Sequence, residues 1–596
     1  MPHKLFQNKF LYLIFSIIIL VFSILWISSN DTSYGTQNTY MADIETIENG
    51  QSLFVKNCIA CHYLQEEGIG PPLGGVTSEL TKKELIQFVQ NPSAVINSGD
   101  QRANYLLDRY KSPMPGFPFL TEEELTSLFA YIDNQSKKNG LTNAHIDFKR
   151  KTDKTIRYAK PISFDSLVIE LEDPIYIPLA QNRNSRKGIA TLRTTPALKN
   201  TLFVSDQMGK LYFIKDKTVS LFLDVAANFS TFIFEPGHGT GLGSFAFHPN
   251  FENNGLIYTT HAEKSQEENI INKTAIPDQD GLEIQWVLTE WKLNHITDVI
   301  FTGSKREVFR ITAPTHAHGV QDINFNSFST KGDEDYGMLY IGVGDGGSIN
   351  RRMPELANQI RTPLGAILRI DPLGNNSENG QYGIPKNNPF AKNLENQTEV
   401  FANGFRNPHR FCWSKDGVML ATDVGESNVE ELNIVEAGKN YGWNKMEGSY
   451  GLNTMKDAKV LHEASPELLS KYELPFAAYD HHDGNAISGG YIFDGKIKDL
   501  RNKYLFGDIV NGRIFYISTE NNFQNDRIFE LKIYRDKKPT SLKDLIGFKN
   551  TNLRFGYDEN NKELYIMTKN DGGIRKVVNA YYLKNNEKFS TAAIVN

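Results

Sequence analysis

The pentapeptide Cys58-Ile59-Ala60-Cys61-His62 holds two thiols one helical turn apart, with an imidazole directly after them. Two such thiols can each add to a haem vinyl group, and the imidazole then lies under the iron, so the spacing reads as c-type haem attachment. Taken alone, the same residues would also pass for half of a zinc site. A second group of reactive residue types lies far downstream in Gly-rich turns: His318-Gly319, Gly344-Asp345-Gly346-Gly347, Arg406-Asn407-Pro408 and Gly425-Glu426. An imidazole suits general-base work because its ordinary pKa lies near neutral pH. Each of these residues also has a plainer reading: a strand-end histidine held by a hydrogen bond, an arginine bracing a turn, an aspartate or glycine forming a tight turn.

The elements around the pentapeptide are helical from about 44 to 132. One helix is expected at 47–56, a second from Thr81 with Glu84 completing a capping box, and a third opening at Thr121 with Leu125, Leu128, Phe129 and Ile132 on one face. Gly70-Pro71-Pro72-Leu73 falls where a loop carbonyl can orient the His62 ring, and Ser112-Pro113-Met114-Pro115-Gly116-Phe117 precedes the third helix. Over 43–135 this arrangement resembles monohaem class I cytochrome c domains. The resemblance implies Cys58 and Cys61 as covalent anchors of one haem c, with His62 and Met114 as the axial iron ligands. A thioether ligand raises the potential, which makes such a haem a ready electron acceptor. By itself Met114 would read as a core methionine.

Residues 136–164, rich in Lys, Asn and Ser, suit a mobile linker. Beyond it, from 165 to 580, short apolar or β-branched runs alternate with turn residues in six two-strand phrases, without long amphipathic helices between them. The expected fold is therefore multidomain: a small all-α domain, then an all-β six-bladed propeller whose Gly-rich loops converge on one face, with a tail at 581–596.

Taken in order, the phrases containing His318, Asp345, Arg406-Asn407 and Gly425-Glu426, with Asn440-Tyr441-Gly442-Trp443 and Ser488-Gly489-Gly490-Tyr491, resemble the glucose/sorbosone dehydrogenase family. That family includes soluble aldose dehydrogenases using pyrroloquinoline quinone (PQQ) and the propeller of Hedgehog-interacting-protein-like proteins. The resemblance implies that His318 removes a proton from a sugar or polyol hydroxyl while a hydride passes to PQQ. It also implies that Arg406 and Asn407 hold the quinone oxygens, and that the backbone carbonyls of Gly425 and Glu426 bind calcium. Electrons would leave through the haem to a respiratory acceptor, since a tethered haem has a high effective concentration near the quinone. The competing implication is a propeller that binds a carbohydrate or a partner without chemistry, tethered to an electron-transfer cytochrome. Three positions depart from the catalytic pattern: Gly346 replaces a glutamine, Arg513 is the only cation where a lysine is expected, and Lys549-Asn550-Thr551 stands for Arg-x-Arg. Fewer cations imply weaker PQQ binding.

His3, Lys4 and Lys9 precede an apolar run at 10–27, long enough to cross a hydrocarbon core about 30 Å thick. The charge order expects everything downstream to be exported to the periplasmic face, with 1–29 as a retained anchor in preference to a cleaved signal peptide and 30–42 as a tether. A net charge of −6 over 596 residues, without basic clusters interleaved with aromatics, argues against nucleic acid as a partner. Three cysteines are too few for a disulfide framework, and Cys412 beside Trp413 reads as a small buried hydrophobe.

Overall fold

The computed structural model describes residues 40, 43–58, 62–65, 70–110, 114–141, 156–178, 188–235, 238–266, 268–272, 276, 284–351, 353–454, 457–548 and 550–584. The expected anchor at 10–27, Cys61 and Lys549 lie outside the described residues. Among the described residues no helix is long and apolar enough to cross a membrane.

The first described helix, Ile44–Asn57, is capped by Asp43, whose carboxylate accepts from Thr46 N at 2.9 Å. It ends at Cys58, whose N–H donates to Phe54 O. The helix crosses the last helix of the domain, Glu122–Lys138, at Gly50, where a Cβ would lie only 2.0 Å from Ser127 O. Only glycine allows that approach. The expected capping box forms at Thr81 with Glu84, and the helix expected to open at Thr121 starts on a second one, with Glu124. Phe54, Leu85, Leu125, Leu128, Phe129 and Ile132 are buried together, each contributing about 1.5–3 kcal/mol by leaving water. Two helices without a strong pattern in the sequence, Pro92–Asn97 and Gln101–Tyr110, complete the domain.

Both ends of the interval read as a mobile linker are tied to the domains that flank it. The last helix runs on to Lys138, where the buried Ser136 hydroxyl accepts from Gly75 N at 3.0 Å. At the other end Tyr158 N and Ala159 N donate to the Asp480 carboxylate, and Arg157 pairs with Asp483 at 2.9 Å. These ties run largely through backbone amides, which leave no residue pattern to read.

The remainder is β-rich. Four four-stranded antiparallel sheets follow in chain order at 189–224, 242–313, 320–403 and 408–480. A ten-stranded sheet holds the eight strands from 487 onward and also Ser163–Leu171 and Ile175–Tyr176. That early strand pairs parallel with Phe529–Arg535 and antiparallel with Gly573–Tyr582, sewing the start of the domain to its end. The leading strands of successive sheets pack in a closed circuit: Ile189–Arg193, Leu242–Phe247, Val320–Phe325, Pro408–Trp413, Ile487–Phe493, Leu553–Asp558 and back to Ile189–Arg193. The domain is thus propeller-like. Strands such as Leu339–Val343 and Ala366–Ile370 are buried at every residue because a neighbouring sheet covers each face, which explains their unbroken apolar runs.

Candidate active site

His62 follows one turn beyond the first helix, its N–H donating to Cys58 O at 2.9 Å. Its ring is buried and Nδ1 lies 2.7 Å from Pro71 O. A carbonyl can only accept, so Nδ1 carries the proton and the Nε2 lone pair is left for a metal. Gly70 makes this possible: a Cβ there would lie 2.4 Å from His62 Cε1. Met114 packs against the same core, and His62, Cys58 and Met114 share a cavity whose wall here is apolar, with Leu73, Val76 and Leu85 among its residues. The imidazole with a fixed tautomer, the thioether and the thiol of Cys58, all lining one apolar cavity, fit a haem c.

The far side of the same cavity, about 550 Å³ in all, belongs to the propeller-like domain and includes His318, Asp345, Arg406, Asn407 and Glu426. His318 sits just before the leading strand Val320–Phe325 with φ +47°, a left-handed conformation that costs a non-glycine residue energy and is held by its surroundings. Gly344 must be opposite it, since a Cβ there would lie 2.3 Å from His318 O. Nδ1 of His318 is 2.6 Å from Asp345 Oδ1, which also accepts from Gly347 N at 2.8 Å, while Oδ2 accepts from Trp443 Nε1 at 3.0 Å. Burial alone would raise the Asp345 pKa, but His318 and Arg406 outweigh it and hold the carboxyl below its ordinary value. An ionised carboxylate can only accept, so the His318 proton is on Nδ1 and Nε2 is left basic, an arrangement suited to taking a proton from a bound hydroxyl. The tight-turn reading of Asp345 and its orienting role are therefore both met by one side chain.

Arg406 is buried, its Nε and an amino nitrogen 2.8 and 2.5 Å from Glu426 Oε2 and its other amino nitrogen 3.1 Å from Val424 O. Behind it Asp423 accepts from Arg406 N at 2.8 Å and Asn407 N at 2.6 Å, which sets the Phe-Arg-Asn-Pro turn. Burial pushes the Asp423 carboxyl up, and Glu431 is pushed up by burial and by Asp423 beside it.

Two expected site residues, Gly425 and Arg513, are not brought to the cavity. The 424–426 loop gives Val424 O and the Glu426 carboxylate to Arg406, while Gly425 does not line the cavity and donates its N–H to Glu430 at 3.3 Å. These contacts use atoms of the loop other than the backbone carbonyls of Gly425 and Glu426, and no step is routed through calcium. Among the described residues no cluster of His, Cys, Asp and Glu side chains is placed to hold a metal ion. Arg513, expected as the substitute cation, is not a cavity residue either: it is spent on Glu530 at 3.0 Å and Asp483 at 3.1 Å.

Other groups in the cavity escaped sequence reasoning because no motif carries them. His409, Arg554 and Lys569 line it, each less than 10% exposed, and so does His238 at the boundary with the helical domain. There Lys56 Nζ lies 2.7 Å from Glu235 Oε1, His316 Nδ1 lies 2.5 Å from Glu235 Oε2, and the Phe117 and His238 rings meet at 6.1 Å. Burial would raise Glu235, but His316 and Lys56 bring its pKa down to about 2. Burial takes His238 down to about 4.

Comparison with known proteins matches these two regions separately. A family model described as Cytochrome c matches residues 47–136, and one described as Glucose / Sorbosone dehydrogenase matches 191–574. The HIPL2 protein of Arabidopsis thaliana is 27% identical over 436 residues, 64% of this chain and 60% of that protein. Quinoprotein glucose dehydrogenase B of Acinetobacter calcoaceticus is 26% identical over 215 residues, 35% of this chain and 40% of its own length. Hedgehog-interacting protein of Mus musculus is 26% identical over 277 residues, 46% of this chain and 34% of that protein. The chain thus spans less than two thirds of each of these relatives. With a family model covering most of the propeller-like domain, and His318, Asp345 and Arg406 meeting in one cavity with His62 and Met114, the chain belongs to the glucose/sorbosone dehydrogenase family and carries a cytochrome c domain ahead of that region.

Proposed function

We propose that the chain is a haem c oxidoreductase that oxidises an alcohol carbon of a sugar or polyol at a PQQ site in a six-bladed propeller and passes the electrons to its own haem. The observation that carries this reading is the single cavity lined by His62 and Met114 at one end and by His318 and Arg406 at the other. The six closing leading strands support the blade count, with the ten-stranded sheet counted as two blades bridged by Ser163–Leu171.

The residues divide the work. His318 Nε2 takes the hydroxyl proton, and Asp345 steadies the imidazolium that results. Arg406, kept in place by Glu426, supplies positive potential where negative charge develops, and Asn407 lines the same wall with its buried Oδ1 unpartnered. When bound, PQQ supplies the hydride acceptor and haem c a one-electron acceptor. Lys56, Glu235, Phe117 and His238 hold the cytochrome domain on the mouth of the cavity, so transfer needs no encounter between separate molecules. We further propose that 10–27 anchors an exported chain that delivers its electrons to a respiratory acceptor, and alkaline extraction of membranes tests the anchor.

The test is visible reduction of the haem by a panel of aldoses and polyols after the purified chain is supplied with PQQ. Wild-type protein is expected to show the sharp reduced bands, with His318→Ala slower by about 10²- to 10⁴-fold. If no sugar reduces the haem and His318→Ala behaves as wild type, the dehydrogenase reading falls. The likeness to Hedgehog-interacting protein, whose name states a protein partner, supports the second reading of a partner-binding propeller.

A further inference from the structure

Turns beside every leading strand of the closed ring contribute to the cavity wall, through Gln207, His238, His318, Arg406, Ile509 and Lys569 among others. The wall is completed by His62, Met114 and Phe117 of the helical domain. A wall drawn from all sides of a ring and closed by a second domain requires that domain to lie across the axis of the ring, not beside it. The chain is fixed in this position at two places. At the first, the Glu235 carboxylate takes Lys56 Nζ at 2.7 Å, and the turn that presents it is braced within the propeller-like domain: Glu235 N donates to Thr240 Oγ1 at 2.8 Å and Gly239 N to His316 O at 3.0 Å. At the second, the segment entering the propeller-like domain is pinned by Tyr158 N and Ala159 N on Asp480 and by Arg157 on Asp483.

The Glu235 turn joins the first sheet to the second, and the Asp480–Asp483 turn joins the fourth sheet to the strand Ile487–Phe493. In the circuit of six leading strands these turns are three places apart, so the two attachments sit on opposite sides of the opening. A body fixed on opposite sides of an opening sorts by size what passes beneath it. The His318 side chain keeps 20% of its surface exposed, enough for contact with a small solute. A hydroxyl that belongs to a long chain would bring the rest of that chain into the volume held by Phe117 and the Met114 loop.

We propose that the docked cytochrome domain is a size filter on the propeller: latched by Lys56 on Glu235, it admits a monosaccharide or small polyol to His318 and excludes the ends of longer glycans. The filter rests on the docking geometry, and the nature of the filtered molecule rests on the dehydrogenase reading. The contact that shortens the route to the haem thereby narrows the range of substrates, and Lys56 and Glu235 are specificity-determining residues that need not touch the sugar.

The experiment has two arms, both on the full haem-loaded chain. In the first, Gln207→Cys places a thiol in the cavity wall, and its labelling by N-ethylmaleimide is compared with labelling by a maleimide carried on a polyethylene glycol chain, with the parent chain as blank. The small reagent is expected to label the thiol whether or not the domain is latched. The polymer is expected to label it about tenfold faster or more once Lys56→Glu repels Glu235, and adding Glu235→Lys should restore the slow rate, because labelling follows the population of the open form. Lys56 is a half-exposed side chain, so its replacement disturbs neither core. In the second arm the chain is supplied with PQQ and a small dye acceptor, and kcat/KM is measured for glucose against maltoheptaose and for xylose against xylohexaose. The latched chain should prefer the monosaccharide by about tenfold or more, and Lys56→Glu should abolish the preference by gaining the oligosaccharide, with the monosaccharide rate unchanged. Polymer labelling at one rate in the latched chain and in Lys56→Glu overturns the filter, as does equal turnover of maltoheptaose and glucose by the latched chain. Latch-dependent polymer labelling with no sugar oxidised keeps the filter and removes the dehydrogenase reading.

Discussion

The candidate haem ligands lie within one stretch from Cys58 to Met114, whereas the propeller side of the cavity draws on residues from Gly188 to Lys569. The first site is local because attachment is covalent: two thiols and an imidazole must sit within one turn of each other. The second is assembled by closure of a ring of sheets, so its residues can come from any loop at that face. A local site is therefore written as a motif, and a distributed one as scattered turns whose meeting depends on the whole domain.

This contrast can be put to experiment. The largest effect is expected from Met114→Ala, which removes the thioether proposed as an axial ligand: the haem potential should fall and sugar-driven haem reduction should be lost, as followed by redox titration. Retention of the wild-type potential would separate Met114 from the iron. Next, Asp345→Asn should keep the cavity but free the His318 tautomer, lowering the rate of sugar oxidation by about 100-fold or more with a changed pH profile. An unchanged profile would return Asp345 to turn formation alone.

A smaller effect is expected where the two regions touch. Lys56→Glu should slow haem reduction by the propeller about tenfold without altering dye-linked sugar oxidation, and adding Glu235→Lys should restore it. No recovery in the double variant would mean that this pair does not hold the domains together. The smallest effect is that of pH. Glu235, depressed to about 2, gives stability that is present above its ordinary carboxylate range and lost as pH falls toward 2. His238, depressed to about 4, is favoured neutral, so it too loses stability as pH falls from the ordinary histidine range through 4. Both act in one direction, and scattering should show the cytochrome domain leaving the cavity mouth in acid before either domain unfolds.

Much of the molecule could be read before any coordinates. The capping box at Thr81, the helix start at Thr121, the buried face of the last cytochrome helix and the strand-rich body follow from residue types and short-range periodicity. So do the candidacies of His62, Met114, His318 and Arg406, since reactive residues in Gly-rich or proline-flanked loops are visible one motif at a time. The loss of Arg513 from the cavity was not legible, because Glu530 and Asp483 claim it across the fold. Neither were the docked segment at 156–162 or the Lys56–Glu235 pair, which join residues far apart in the chain.

The order of residues alone dictated the chemistry on offer: a pentapeptide for haem, a thioether between prolines, and an imidazole and a guanidinium in glycine-rich turns, because covalent spacing and backbone propensity act over a few positions. Folding chose which of these groups meet and which carboxylates neutralise them, and it brought Arg554 and Lys569 to the wall of the cavity. Burial and charge pairing are properties of the closed ring, and they exist only once its last sheet has joined its first.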